Sequence, residues 1–465
     1  MNHSGTWRQL LGPAHLGTSI VLAGGVLLYA TNEFITISLL PSAVADIGGQ
    51  RVYSWVTTVY LVASVIAATT VSPLLSRLGP RLAYLEGMAV FATGTLVCAL
   101  APAMEVLLVG RTVQGLGGGV LAGLGYAVIN SALPQALWTK ASALVAAMWG
   151  VGTLLGPAAG GLFAQFGMWR WAFGVLLGAT AAVALLVPFV LSGRRADREV
   201  TAFRIPIWSL LLLGSAALAV SVAGIPRSPV VTAAMLALGA VLVGMFLVVD
   251  RRAAVAVLPR SAFGAGPLKW IYLSLGVLMA VTMVDMYVPL FGQRLAHLVP
   301  VVAGFLGVAL SIGWTTGEIA SASLRSSAIA ARVVAAAPVV IAVGLSVAAT
   351  TQMAGAPPWV VAIWVAALLT MGVGVGMAWP HLSAWAMAGA DDPQESGTAA
   401  AAINTVQLIC GAFGAGLAGV VVNMSPGGDV AAARSMYGVF AAIAVCAAVA
   451  TVRATRAVRP VAATP

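Results

Sequence analysis

Residues Trp149–Phe163 read WGVGTLLGPAAGGLF. The stretch carries no charge and is too apolar for a surface loop, yet it holds Gly150, Gly152, Gly156, Gly160 and Gly161, with Pro157 in the middle. In water it would be a poor helix, because each interior glycine costs roughly 1 kcal/mol and proline about 3. In a bilayer the helix is close to obligatory, because unpaired backbone groups find no water to bond. Gly152, Gly156 and Gly160 recur at every fourth position and share one face, a smooth groove that a second helix can approach closely. Pro157 removes one backbone donor and invites a bend. Taken alone, these residues describe a close-packed membrane helix, a feature common to helical membrane proteins.

The composition agrees. The chain of 465 residues is 61% hydrophobic and only 8% charged, against about 25% charged in an ordinary soluble domain. It reads as an all-α polytopic membrane protein. The N-terminal MNHSGTWRQLLGPAH has a single arginine and runs into a first span too long for a signal-peptide core. Cys98, Cys410 and Cys446 all lie in apolar runs, which suits small buried filler better than a disulfide or metal framework.

Apolar runs of about 20 residues mark candidate spans. Six come first, near 17–41, 54–75, 83–102, 105–130, 141–164 and 171–191. The charged connector SGRRADREVTAFR follows, then two spans near 205–224 and 230–249, then the connector DRRAAVAVLPRSAFGAGPLK. Six more lie near 268–290, 300–321, 331–353, 358–380, 396–422 and 436–452. The expected organisation is therefore fourteen helices: a six-helix bundle in 1–191, a linker with two further helices in 192–266, and a second six-helix bundle in 267–465.

With both termini inside, the inner segments collect most of the basic residues, among them Arg77, Arg81, Lys140, Arg194, Arg195, Arg198, Arg204, Arg251, Arg252, Arg260, Lys269, Arg325, Arg453, Arg456 and Arg459. The outer loops hold only Arg51, Arg170, Arg227, Arg294 and Arg434. This bias orients the chain in an inner (plasma) membrane with cytoplasmic termini. It also places the net charge of +10 on the rim that faces anionic membrane lipids. No basic patch is interleaved with exposed aromatics, so nucleic acid is not an expected partner.

Ionisable residues inside spans are costly, and each is a functional candidate. Tyr29, Asn32, Glu33 and Thr36 form one polar stripe in span 1. Arg111 opens span 4 with Gln114 one turn later; Asp285 lies in span 9, followed by Tyr287; Glu318 lies toward the inner end of span 10; Asn404 and Gln407 sit three apart in span 13. Glu33 is the hardest to explain structurally, being deepest and set in a polar stripe. Burial favours the neutral form of such a carboxyl and a nearby arginine favours the charged form, so it can take up and release a proton. Asp46, Glu86, Glu105, Asp391, Asp392 and Glu395 lie near span ends and are expected to be solvated.

This six-two-six layout, with its motifs, resembles the fourteen-span drug:proton antiporters of the major facilitator superfamily over essentially the whole chain. The span 5 antiporter motif GxxxGPxxGG matches at Gly152, Gly156, Pro157, Gly160 and Gly161, and WRWAF at Trp169–Phe173 is similar to the segment just after that motif in those exporters. The span 4 motif RxxQGxG matches at Arg111, Gln114, Gly115 and Gly117. The connector RRAAVAVLPRSAF also looks like the segment entering the second half in that branch. Two departures stand out. The loop between spans 2 and 3, usually GxLaDrxGrk, reads SPLLSRLGPR, keeping Arg77, Gly79 and Arg81 but holding Ser72 and Ser76 where the first Gly and the Asp belong. In span 1 the usual Asp is replaced by Asn32, with Glu33 one position on.

The resemblance implies a major facilitator fold with two pseudo-symmetric bundles, and a proton-coupled exporter working by alternating access. Glu33, Arg111, Asp285 and Glu318 would carry proton coupling. Tyr29, Asn32, Gln114, Trp149, Tyr287, Trp314, Trp379, Asn404 and Gln407 would meet substrate, the aromatics suiting bulky lipophilic or cationic solutes. Arg77, Arg81 and the span 5 motif would govern conformational change. A monomer is expected, using the proton gradient and no cofactor. An exporter of a sugar, siderophore or lipid precursor would share every one of these motifs. An ATP-driven pump is disfavoured by the lack of GxxxxGK[ST]. An enzyme is not expected: the loops are short, and His3, His15, His297 and His381 are scattered.

Overall fold

The computed structural model describes residues 6–191, 205–226, 228–264, 266–324, 326–388 and 396–458. The first connector with its arginines lies outside these residues, as do His3, Arg227, Arg325, Asp391, Asp392, Glu395 and Arg459. Among the described residues every regular element is a helix. Its main helices are α1 Leu16–Ile47, α2 Trp55–Ala68, α3 Val71–Ala99, α4 Met104–Ala127, α5 Trp138–Gln165, α6 Trp169–Val190, α7 Ile207–Val222 and α8 Pro229–Arg252. They continue with α9 Leu268–Thr282, α10 Val288–Ala296, α11 Pro300–Ala322, α12 Ser327–Thr351, α13 Pro358–Ala388, α14 Ser396–Met424 and α15 Gly428–Val458.

Thirteen described helical stretches are long and apolar enough to cross a membrane. The remaining expected span, the seventh, is α7, whose 16 residues cover about 24 Å at 1.5 Å per residue, short of the roughly 30 Å hydrocarbon core. The count of fourteen is therefore not established by length alone. The chain divides into two compact units: Met1–Ile205 with Pro300–Phe305, and Pro206–Val299 with Leu306–Pro465.

Proline and glycine set the breaks. Gly79 adopts φ 76°, a left-handed conformation that only glycine takes cheaply, and turns the chain inside α3 where spans 2 and 3 were expected to meet. Span 9 is interrupted. Between α9 and α10 the segment Met283–Tyr287 is a 3₁₀ turn. Pro289 explains it: the ring offers no N–H to the carbonyl four residues earlier, which is that of Asp285, and sterically opposes a regular α-turn there. By contrast, α5 runs through Pro157 without a break.

In the first unit α5 lies along α1. A Cβ on Gly152 would sit 2.8 Å from Ala30 Cβ, one on Gly156 would overlap Phe34 Cβ, and one on Gly160 would meet the carbonyl of Ile35. Gly161 lies against Val301 and Pro300, in the segment Pro300–Phe305 that belongs to the same unit. Gly150, in the same stretch, faces open space.

In the second unit α11 and α13 pack backbone to backbone through reciprocal glycines. Gly313 and Gly317 meet the carbonyls of Leu369 and Val373, and Gly372 and Gly376 meet those of Leu310 and Trp314. The additional helix α7 packs on α14, with Gly416 against Ser221 and Gly224 against Val420. A single carboxylate organises this region. Asp250 is fully buried at the end of α8, accepting from Ser209 Oγ at 2.8 Å, Val257 N at 2.7 Å and Leu258 N at 2.9 Å. It thereby joins α7, α8 and the connector that leads into α9.

One feature repeats in the two units. In the first, Asp46 near the end of α1 pairs with Arg170 at the start of α6 (2.6 Å). In the second, Arg294 near the end of α10 pairs with Asp429 at the start of α15 (3.0 Å), with the signs exchanged. Asp46 also accepts from Trp169 Nε1 at 3.1 Å, and the Arg170 guanidinium lies over the Trp169 ring and donates to the Ala101 carbonyl. Asp46 thus has specific partners where solvation alone was expected, and the WRWAF motif supplies them.

Candidate functional site

The polar residues of spans 1 and 4 converge with residues of α2 and α3 that the sequence did not single out. Arg111 is 1% exposed. Its Nε donates to the Val56 carbonyl (3.2 Å), one terminal nitrogen donates to Gln114 Oε1 (2.8 Å), and the guanidinium lies 4.0 Å from the Tyr60 ring centroid. Gln114 Nε2 donates in turn to Thr95 Oγ1 (2.9 Å), and the Cys98 thiol approaches Gln114 Oε1 at 3.4 Å. The glycines after Gln114 permit this closeness. Gly115 and Gly119 face the carbonyls of Tyr60 and Ser64 on α2, Gly117 faces Phe91 on α3, and Gly118 faces the Tyr29 ring. Ser64 Oγ lies within hydrogen-bond distance of both the Tyr60 and the Gly115 carbonyls.

Tyr60 joins this network to span 1. Its ring stacks on Tyr29 at 5.4 Å, and Tyr29 meets the edge of Trp149 at 5.5 Å. Tyr29, Asn32 and Thr36 are buried, and Thr36 Oγ1 donates to the Asn32 carbonyl. The Tyr29 hydroxyl and both amide atoms of Asn32 are buried without a hydrogen bond of normal geometry, although Tyr29 is near Ser64 and Asn32 is near Tyr60. Buried polar atoms are rarely left unsatisfied in folded proteins, and an orphaned group asks for a partner such as water or ligand.

Glu33 follows one residue after Asn32. It is 8% exposed, and among the described residues it makes neither a hydrogen bond nor an ion pair. Its charge and that of Arg111 act on each other through space, but the two do not touch: the described ion pairs are those of Arg170 with Asp46 and of Arg294 with Asp429. A direct Glu33–Arg111 contact is therefore absent. The arginine reaches α2 and its own helix, because the Val56 carbonyl, Gln114 and the Tyr60 face satisfy it there.

Arg111→Lys is expected to lower the stability of this unit by about 1.5–3 kcal/mol, the worth of a charge-assisted hydrogen bond. Lysine cannot donate to Val56 and Gln114 from a fork while stacking on Tyr60. Thermal unfolding of the purified variant measures this, and an unchanged midpoint would contradict the role given to the fork.

The other candidates occupy the second unit. Asp285 lies in the 3₁₀ turn with Oδ1 beside Gly307, and Tyr437 feels its charge. Tyr287 is buried and stacks on Phe291 at 5.9 Å. Trp314 Nε1 donates to Glu318 Oε2 at 3.1 Å, and the Trp314 and Trp379 rings lie 5.4 Å apart. One turn beyond Glu318, the Ser321 hydroxyl bridges the Met377 carbonyl (2.6 Å) and His381 Nε2 (2.8 Å). Asn404 is exposed and Gln407 half-buried. Arg77 is exposed, Arg81 is half-buried, and neither forms an ion pair among the described residues.

Tyr60 was the residue most open to prediction, as a tyrosine in the middle of the span 2 run TVYLVAS. Thr95 and the Val56 carbonyl carry no such signal. Among the described residues no group of three or more metal-ligating side chains occurs.

Residues 22–415 match the family described as Major Facilitator Superfamily. The probable multidrug-efflux transporter Rv1634 of Mycobacterium tuberculosis is 61% identical over 448 residues, covering 95% of each chain. The multidrug efflux pump SdrM of Staphylococcus aureus is 31% identical over 163 residues, 35% of this chain and 36% of that protein. Among solved structures, a point mutant of the nucleoside transporter NupG superposes with a TM-score of 0.68 at 12% identity, covering 94% of this chain and 98% of that one. The xylose transporter XylE from E. coli gives 0.64 at 14% identity, covering 93% and 94%.

Proposed function

The chain belongs to the Major Facilitator Superfamily, and from that premise we propose that it is a proton-coupled antiporter of the fourteen-span branch, exporting small lipophilic or cationic compounds by alternating access. The observation that carries the reading is Glu33. It is an unengaged carboxylate, almost wholly buried, beside orphaned polar groups of Tyr29 and Asn32 and within electrostatic range of Arg111. An acid with no fixed partner can exchange its proton for a substrate contact without first breaking a salt bridge. Arg111, held by Gln114 and Tyr60, supplies a fixed positive charge in the same polar region. Trp149, half-buried and edge-on to Tyr29, offers an aromatic face suited to flat or cationic solutes.

The names of the relatives from M. tuberculosis and S. aureus support multidrug efflux. In this reading α7 is the seventh span and completes the count of fourteen, and locally thinned lipid accommodates its short length. The proton gradient is the energy source and no cofactor takes part.

The test is pH-driven uptake into inside-out vesicles, screened across lipophilic cations, neutral drugs, sugars and siderophores. Uptake of several unrelated lipophilic compounds, abolished by a protonophore, is the expected result. Uptake confined to one sugar or siderophore would replace this reading with a narrow physiological export role.

A further inference from the structure

Trp270, in the first turn of α9, carries two cations on one ring. The Arg453 guanidinium of α15 lies 4.4 Å from the ring centroid and Lys269 Nζ lies 6.0 Å from it. Lys269 Nζ is exposed and is within reach of the Gly264 carbonyl at 3.3 Å. Among the described residues no carboxylate pairs with either cation. Asp250, at the end of the preceding span, has both oxygens committed to Ser209, Val257 and Leu258.

More positive charge gathers at the same end of this unit. Arg251 and Arg252 end α8, Arg260 opens the turn Arg260–Phe263, and Arg456 lies in the last turn of α15. All four are exposed. Two cations drawn to one indole repel each other, and in a bilayer interface the nearest abundant counter-charge is a lipid phosphate. Tryptophan itself favours the depth at which that phosphate sits.

The geometry points to a binding site for the phosphate of an anionic phospholipid between the start of α9 and the end of α15, formed by Lys269, Trp270 and Arg453. The flanking arginines raise the local concentration of anionic lipid. A lipid held there bridges the first and last helices of the second bundle, and the tie is independent of which solute the protein carries.

The test uses the purified full-length protein in detergent, with phosphatidylglycerol, phosphatidylcholine or inorganic phosphate added at equal concentration. Phosphatidylglycerol is expected to raise the unfolding temperature and to survive as an adduct in native mass spectrometry, while phosphatidylcholine does neither. The double variant Lys269→Gln/Arg453→Gln should lose most of that shift and the adduct, and Arg453→Lys should retain part of both. Three results would overturn the proposal. They are an equal response to phosphatidylcholine, a shift reproduced by inorganic phosphate alone, and a double variant that binds phosphatidylglycerol as the native protein does. Adduct counting in the mass spectrometer does not require the variant to match native stability, so a weakened fold leaves the test intact.

Discussion

Gly156→Leu is expected to abolish transport, whereas Gly150→Leu, six residues earlier in the same glycine-rich stretch, is expected to leave it close to native. The contrast is steric. Any Cβ on Gly156 overlaps Phe34 Cβ and approaches the backbone of Ile35, so the obstacle includes main chain that no rotamer change removes. Overpacking a core typically costs about 1–3 kcal/mol when neighbours can shift, and here α1 and α5 would have to separate. Glu33 and the orphaned Asn32 lie between the contacts of Gly152 with Ala30 and of Gly156 with Phe34, so separation displaces the acid as well. Gly150 meets nothing within 4 Å, so a leucine there projects into open space. Substrate uptake per folded molecule, with folding followed by gel filtration, decides between the two. Equal transport by both variants would show that the α1–α5 groove is dispensable.

The second large effect is at Glu33. Glu33→Gln keeps the shape of the side chain, makes no new charge and breaks no hydrogen bond among the described residues. The fold is expected to persist, with an unfolding midpoint near native. Transport driven by a pH gradient should nevertheless fall to background, because glutamine cannot bind and release the proton. Exchange of labelled for unlabelled substrate, which needs no proton turnover, should continue. A structural role for Glu33 predicts the opposite pattern: a lowered midpoint and proportional loss of both activities.

Much of the fold is legible in the sequence, because the bilayer requires only length and apolarity of a span, and both can be counted along the chain. The break inside span 9 is not legible in the same way: Pro289 acts on the carbonyl of Asp285, a full turn upstream, within a stretch long enough to read as one continuous span. Asp250 reads as the first residue of a charged connector, and only the return of Val257 and Leu258 to the helix end makes it a buried hub. The motif residues of span 4 are visible, but their partners are not. Periodicity places Arg111 and Gln114 on one face of a helix without saying which helix lies opposite, and so Tyr60, Thr95 and the Val56 carbonyl emerge only in three dimensions. The same limit hides how Glu33 and Arg111 are related: the arginine is held by Val56, Gln114 and Tyr60, and does not touch the acid. The span 5 glycines are the best-read feature: the face predicted to admit a second helix does admit one, and that helix carries Glu33.

The measurement that bears most directly on the proposed mechanism is substrate-evoked proton movement in proteoliposomes loaded with a pH indicator. Addition of a transported compound to native protein should move protons opposite to the substrate, and the same addition to Glu33→Gln protein should leave the indicator still while labelled exchange continues. Proton movement of native size in the Glu33→Gln protein would contradict the assignment of Glu33 as the coupling acid.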